Sequence, residues 1–267
     1  MKSPAVALTI AGSDSSSGAG LQADLKAFTA CGVYGLTVAT AIVAQRPGAV
    51  LSVEEVSAKS IREQIQAVLP HYPVAAIKTG LLPSARAIEV VREALRNHPA
   101  PLVIDPVAFA SAGTALASPD ARDALQTLIR EIAYLVTPNR AEAAHFLGAP
   151  ISSTDQGRDA ATALYAHFGC AVLLKGGHFE GPDAIDWLVT GDGSPHEIRA
   201  PRLQGIDVHG TGCAYSAAIA GRLALGLSLV DAVRDARRYL QSALERHSVW
   251  TMANGSGIKA LAHDAEP

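Results

Sequence analysis

The chain has 267 residues, 49% of them hydrophobic and 5% aromatic, with a formal net charge of −3. That length suits one sizeable core in an open α/β domain, and the absence of any basic run argues against a nucleic-acid or membrane-surface partner. No apolar stretch reaches the roughly 18–20 residues of a spanning helix, and three scattered cysteines without a CxxC pair give neither a disulfide framework nor a zinc site.

The first apolar run, AVALTIAG (5–12), passes straight into a glycine turn without a small-residue cleavage site, so it reads as a buried strand and not as a signal peptide. Five further strand-length runs follow: GLTVATAIVAQ (35–45), VAAIKTG (74–80), PLVIDPV (101–107), AYLVTPN (133–139) and AVLLKGG (171–177). Their hydrophobicity is continuous, as expected of parallel strands covered on both faces. Helical patterns lie between them. In SARAIEVVREALRNH (84–98), Ile88, Val91 and Leu95 share one face. Segment 183–203 breaks the alternation, and its GDG between two β-like runs predicts a hairpin at a sheet edge. Ser228, with Asp231 three residues on, predicts the start of a last long helix whose buried stripe holds Val233, Leu240 and Leu244. The expected fold is a doubly wound, mostly parallel α/β sheet with helices on both faces, a single domain over residues 1–267 with a small edge hairpin. The lone cysteines read as small buried hydrophobes, and the expected location is the cytoplasm.

In such folds ligands sit beyond the carboxyl ends of the strands. Those ends are polar or glycine-rich here: Gly12-Ser13-Asp14, Gln45, Lys78-Thr79-Gly80, Asp105, Asn139 and Lys175-Gly176-Gly177. The turn HGTGC (209–213) precedes an alanine-rich helix, where two glycines and a helix N-terminus make a cradle for an anion. Neither a GxxxxGK[ST] loop nor a GxGxxG fingerprint is present. Cys213 at that helix start is expected to have a lowered pKa and to be partly thiolate near neutral pH. Such a group fits either a covalent intermediate or a base for a substrate hydroxyl. In TPNRAEAAHF (137–146), Asn139 and Glu142 fit either an organiser of hydrated Mg²⁺ and its phosphates or a simple helix cap.

The stretches TIAGSDSSSGAGLQADLKAF, AIVAQ, KTGLL, VIDPV, TPNRAEA, LLKGGH and HGTGC, in this order, resemble those of the hydroxymethylpyrimidine/phosphomethylpyrimidine kinases, thiamine-pathway enzymes of the ribokinase-like superfamily. The likeness runs from about residue 6 to residue 245. It implies ATP- and Mg²⁺-dependent phosphorylation of 4-amino-5-hydroxymethyl-2-methylpyrimidine and then of its monophosphate. It also implies site roles. Gln45 would read the aminopyrimidine edge, with Gly12, Asp24 and Val107 completing that pocket. Gly210 and Gly212 would form the anion hole, with Cys213 where sugar kinases carry an aspartate base. Lys175 and Thr211 would face the ATP phosphates, while Asn139 and Glu142 organise Mg²⁺. A homodimer is the expected assembly.

Three departures from the family pattern stand out. Ser111 and Ala112 occupy positions where a lysine and a serine are usual, Arg46 follows Gln45 in place of an asparagine, and NGSGIKALAH (254–263) only loosely echoes a glycine-rich motif. Arg46 fits either a contact to a substrate phosphate or a solvated side chain. The serine- and glycine-rich loop 13–20 is a candidate lid. Pyridoxal kinase and a non-catalytic pyrimidine-binding sensor are the alternative functions.

Overall fold

The computed structural model describes residues 3–107, 116–177, 179, 181–206, 208–252 and 257–264. In chain order, the first half runs β1 (Val6–Asp14), α1 (Gly20–Ala30), β2 (Tyr34–Arg46), β3 (Ala49–Glu55), α2 (Ala58–Val68), β4 (Val74–Thr79), α3 (Ala85–Leu95), β5 (Leu102–Ile104) and α4 (Pro119–Ile132). The second half runs β6 (Leu135–Val136), α5 (Arg140–Leu147), α6 (Thr154–Phe168), β7 (Ala171–Leu174), β8 (Asp183–Val189), β9 (Pro195–Pro201), α7 (Thr211–Ala224), α8 (Leu229–Glu245), β10 (Ser248–Thr251) and β11 (Gly257–Ala260).

The six apolar runs become the six parallel strands at the centre of a nine-stranded sheet, ordered β3-β2-β1-β4-β5-β6-β7-β8-β9. The GDG hairpin forms as expected: β8 and β9 pair antiparallel and β9 is an edge strand. The other edge, β3, pairs antiparallel with β2 and has no counterpart in the sequence reading; its side chains are mostly exposed, Leu51 among them. The terminal hairpin of β10 and β11 went unpredicted as well, with all of β10 exposed.

Alternation along each strand splits the interior into two cores. Val6, Leu8 and Ile10 of β1 face one core with α2, α3, α4 and α6, while Ala7 faces the other with α1, α7 and α8. Caps locate several helix starts: Ser84 accepts from the Ala87 N–H and Ser228 from the Asp231 N–H, the latter as expected. Ile88, Val91 and Leu95 are buried, as are Val233 and Leu240. Among the described residues, no helix is long and apolar enough to cross a membrane.

What positions the site is the second core. Its sheet side offers Ala7 and Ala76, and α7 answers with Ala214, Ala217, Ala218 and Gly221. Small residues on both sides let α7 lie against β1, β4 and β5. A Cβ on Gly221 would stand 3.2 Å from Cys31 and 3.5 Å from Phe28 of α1. The N-terminus of α7 is thereby fixed beyond the ends of β1 and β4, where the chain leaves β1 toward opposite sides of the sheet. Phe28, fully buried at this α1–α7 contact, fixes the spacing. Phe28→Ala is expected to lower unfolding free energy by about 3–5 kcal/mol, measured by urea denaturation; a loss under about 1 kcal/mol would show that the contact collapses without cost.

Candidate active site

Helix α7 begins at Gly210, whose φ of +83° is left-handed, and no side chain caps it. A Cβ on Gly210 would lie 1.7 Å from the Gly18 carbonyl oxygen, so no other residue fits there. The N–H groups of the first turn have no acceptor within the helix and point outward with its positive dipole end. Gly212 makes room for a cation: its missing Cβ would be 3.1 Å from Lys175 Nζ.

Lys175 ends β7 with its N–H donating to the Pro138 carbonyl (2.8 Å) and its ammonium 2.7 Å from Asp105 Oδ1. Asp105 lies at the end of β5 and also accepts from Ser216 Oγ (3.1 Å) and Thr137 Oγ1 (3.2 Å). Burial alone would raise the Asp105 pKa, but Lys175 and Lys78 outweigh it and hold the carboxyl below its ordinary value. Burial likewise disfavours the Lys175 ammonium, and Asp105 and Glu142 reverse that. A charged pair therefore persists beneath the α7 turn.

Asn139 and Glu142 form a complete capping box at the start of α5: Asn139 Oδ1 accepts the Glu142 N–H (2.9 Å) and Glu142 Oε2 accepts the Asn139 N–H (2.8 Å). The cap reading of this pair is realised. Burial pushes the Glu142 carboxyl up to about 7, with Lys175 partly offsetting it. Among the described residues, no cluster of three or more His, Cys, Asp or Glu could hold a metal alone.

A second buried pair lies beside the turn. Lys78 of β4 donates to both oxygens of Asp24 (2.9 and 2.8 Å), and Thr9 Oγ1 donates to Oδ2 at 2.6 Å. Both partners are fully buried. Asp24, expected to complete the pyrimidine pocket, is fully buried with both oxygens engaged by Lys78 and Thr9. Lys78 is the strongest influence favouring the Cys213 thiolate, and the Gly20 N–H bonds the sulfur.

Gln45 ends β2, and its backbone exchanges hydrogen bonds with Ser15 Oγ (2.9 and 3.0 Å). Its amide Nε2 lies 3.4 Å from His209 Nε2, and His209 lies 3.5 Å from Asp14. Gly12 is buried, where a Cβ would meet Leu81 at 3.1 Å. Val107 is half-buried just beyond Asp105. The loop expected as a lid is tied down: Asp14 accepts from the N–H groups of Ser16 (2.8 Å), Gly18 (3.1 Å) and Ala19 (2.8 Å). Burial opposes the Asp14 charge, but bonds from His209, Ser16 and Ala19 hold its pKa well below the usual carboxylate range. Ser111 and Ala112 lie outside the described residues, as do residues 254–256 of the loosely matching segment, and Arg46 is exposed.

The phosphomethylpyrimidine kinase family profile matches residues 14–258, which takes in every residue of this constellation but Gly12 and Thr9. The chain belongs to the phosphomethylpyrimidine kinase family. It is 43% identical over 255 residues to the hydroxymethylpyrimidine/phosphomethylpyrimidine kinase of Rhizobium meliloti, covering 95% of each chain. A phosphomethylpyrimidine kinase structure from Clostridium difficile is 38% identical, with a TM-score of 0.76 over 90% of this chain and 99% of that one. Bacillus subtilis pyridoxal kinase, solved as an ADP complex, is 31% identical, with a TM-score of 0.87 over 98% of both chains. The fold is ribokinase-like.

Within this family frame one expectation is overturned. Burial pushes the Cys213 thiol up to about 11, with Lys78 only partly countering it. A helix dipole is worth about 0.3–1 kcal/mol, whereas removing water from an ionised group costs several kcal/mol. Burial wins, and the thiol is protonated at neutral pH. Sequence reasoning marked Lys78, Asp105 and His209 as polar ends or motif members but gave none of them a partner. Thr9 and Ser216 sit inside apolar runs and carried no signal at all. In a Cys31→Ser/Cys170→Ser background, alkylation of Cys213 by iodoacetamide is expected to rise tenfold per pH unit up to about pH 11. A plateau below pH 9 would mean the thiolate is already formed, as at a dipole-controlled site.

Proposed function

We propose that this protein transfers the γ-phosphoryl group of ATP to the hydroxymethyl oxygen of 4-amino-5-hydroxymethyl-2-methylpyrimidine and then to the resulting monophosphate, as a step of thiamine biosynthesis. The observation that carries this reading is the uncapped α7 turn with the Lys175–Asp105 pair against Gly212. A buried ammonium next to open N–H groups suits a phosphoryl group, and the family likeness points to the acceptor.

In this reading Lys175 and Thr211 contact the ATP phosphates, and the N–H groups following Gly210 and Gly212 hold the oxygens of the group in transfer. The donors present fit one Mg²⁺ held mainly by phosphates and water, with Glu142 contributing its uncapped oxygen and Asn139 fixing that carboxylate. When bound, ATP supplies the phosphoryl group and Mg²⁺ offsets the charge of its phosphates. Gln45 presents its amide to the aminopyrimidine edge, beside Gly12 and Val107, and Asp24 acts as the Lys78 counter-ion. Cys213 takes the proton of the attacking hydroxyl only in its thiolate form, which burial keeps a small fraction at neutral pH. That suits transfer through a loose transition state, which needs little activation of the nucleophile. We take residues 1–267 as one kinase domain acting as a cytoplasmic homodimer, on the strength of the family resemblance.

An assay with the free pyrimidine, its monophosphate and pyridoxal in parallel, with ATP and Mg²⁺, tests the reading. Turnover of both pyrimidines is expected. Turnover of pyridoxal alone would instead favour the activity of the pyridoxal kinases that match this fold at TM-scores up to 0.87. Cys213→Ala is expected to reduce kcat about 10²–10⁴-fold while pyrimidine binding by calorimetry stays within a few-fold; unchanged turnover would remove Cys213 from the reaction.

A further inference from the structure

One buried polar group stands next to the phosphate side of the site without belonging to it. Asp186, on the hairpin strand β8, is 3% exposed. Its Oδ1 accepts the Gly176 N–H at 2.7 Å. Its Oδ2 faces Arg237 of α8, whose Nε is 3.5 Å away, and the Tyr215 hydroxyl of α7 borders the same carboxylate. Arg237 Nε does not complete a hydrogen bond to Oδ2; burial raises the Asp186 pKa, and Arg237 and the Tyr215 hydroxyl act against that.

We propose that Asp186, charge-balanced by Arg237, is a positioning residue that fixes the backbone of Lys175 and so aims its ammonium at the phosphate being transferred. This rests on the reading of Lys175 given above. The argument is geometric. The peptide plane before Lys175 is pinned by its N–H to the Pro138 carbonyl at 2.8 Å. The plane after it is pinned by the Gly176 N–H to Asp186. With both flanking planes held, the φ and ψ of Lys175 are set, and with them the direction of its Cβ. Gly176 permits this because a Cβ there would lie 1.6 Å from the Ile185 carbonyl oxygen, so the turn is pressed directly onto β8. Asp105 then fixes only the far end of the side chain, at Nζ.

The energetics favour a positional role over a stabilising one. A buried ion pair returns little net stability, because desolvation offsets the attraction. Here the pair is long at 3.5 Å and leaves polar atoms unsatisfied, so its contribution to folding is poorer still. What the carboxylate does complete, at 2.7 Å, is the single bond to the turn that carries Lys175. It also brings that turn together with β8, α7 and α8 around one carboxylate.

The test separates the hydrogen bond from the charge. In an Arg237→Met background no unpaired buried charge remains when Asp186 is made neutral. There, Asp186→Asn keeps an acceptor for the Gly176 N–H and Asp186→Leu does not. The Asn variant is expected to hold kcat within about fivefold of the parent, since a neutral acceptor is about half as strong as an ionised one. The Leu variant is expected to lose about 100-fold, the cost of a misplacement near 1 Å. ATP KM should rise with it and pyrimidine KM should not. Adding Lys175→Ala to the Leu variant should cost nothing beyond Lys175→Ala alone. Equal kcat for folded Asn and Leu variants, or losses that multiply with Lys175→Ala, would overturn the positioning role while leaving Lys175 at the phosphates. If the Leu variant does not fold, an Asn variant that folds by circular dichroism but falls to the Lys175→Ala level would overturn it equally. Full activity of Lys175→Ala by itself would sink both this inference and the reading it rests on.

Discussion

The site depends on how closely α7 can approach the sheet. A helix packed through leucines would stand off by the width of those side chains. Ala214, Ala217, Ala218 and Gly221 against Ala7 and Ala76 remove that width. The consequence reaches beyond packing density, because the helix axis now carries its open N-terminus directly over the ends of β1, β4 and β5. Every polar strand end in this region is then within reach of one turn of backbone. The large residues of the same strands, such as Leu8 and Ile10, go to the opposite core, where position matters less.

Around that turn the charges are arranged in pairs of opposite sign buried at different depths. Lys78 and Asp24 are wholly buried, whereas Lys175 is slightly exposed above a buried Asp105. Each lysine has a carboxylate at hydrogen-bond distance, so its ammonium is already held in place beside the α7 turn. Preorganisation of this kind costs no reorientation at the moment of reaction. It also explains the state of Cys213. The same exclusion of water that strengthens these interactions raises the thiol, and one buried lysine does not reverse it.

Glycines decide which loops can close on the turn. Gly210 against the Gly18 carbonyl presses the 13–20 loop onto the start of α7, and Gly20 against the Gly12 carbonyl presses its end back onto β1. Asp14 locks that loop from inside by taking three of its N–H groups. A segment whose composition reads as loose is therefore one of the better tied parts of the site. Gln45 joins it through Ser15 on one side and His209 on the other, so the end of β2 and the turn before α7 share a single network.

The sequence by itself determined the six parallel strands, the edge hairpin, the start of the last long helix at Ser228, and the family, because runs, caps and ordered motifs are local and survive without coordinates. It also placed Asp105, Asn139 and Lys175 at strand ends, where the structure brings Lys175 against Asp105 and Gly212. Exposed strands such as β3 escaped it. Only the tertiary structure decided which charge faces which: Lys175 with Asp105 across 70 positions, Lys78 with Asp24 across 54, Asp186 with the turn after Lys175. It alone decided that burial raises the Cys213 thiol and that Asp24 is wholly buried against Lys78. Protonation and partnership follow from burial and from distances between remote strand ends, and neither is written in the spacing of residues along the chain.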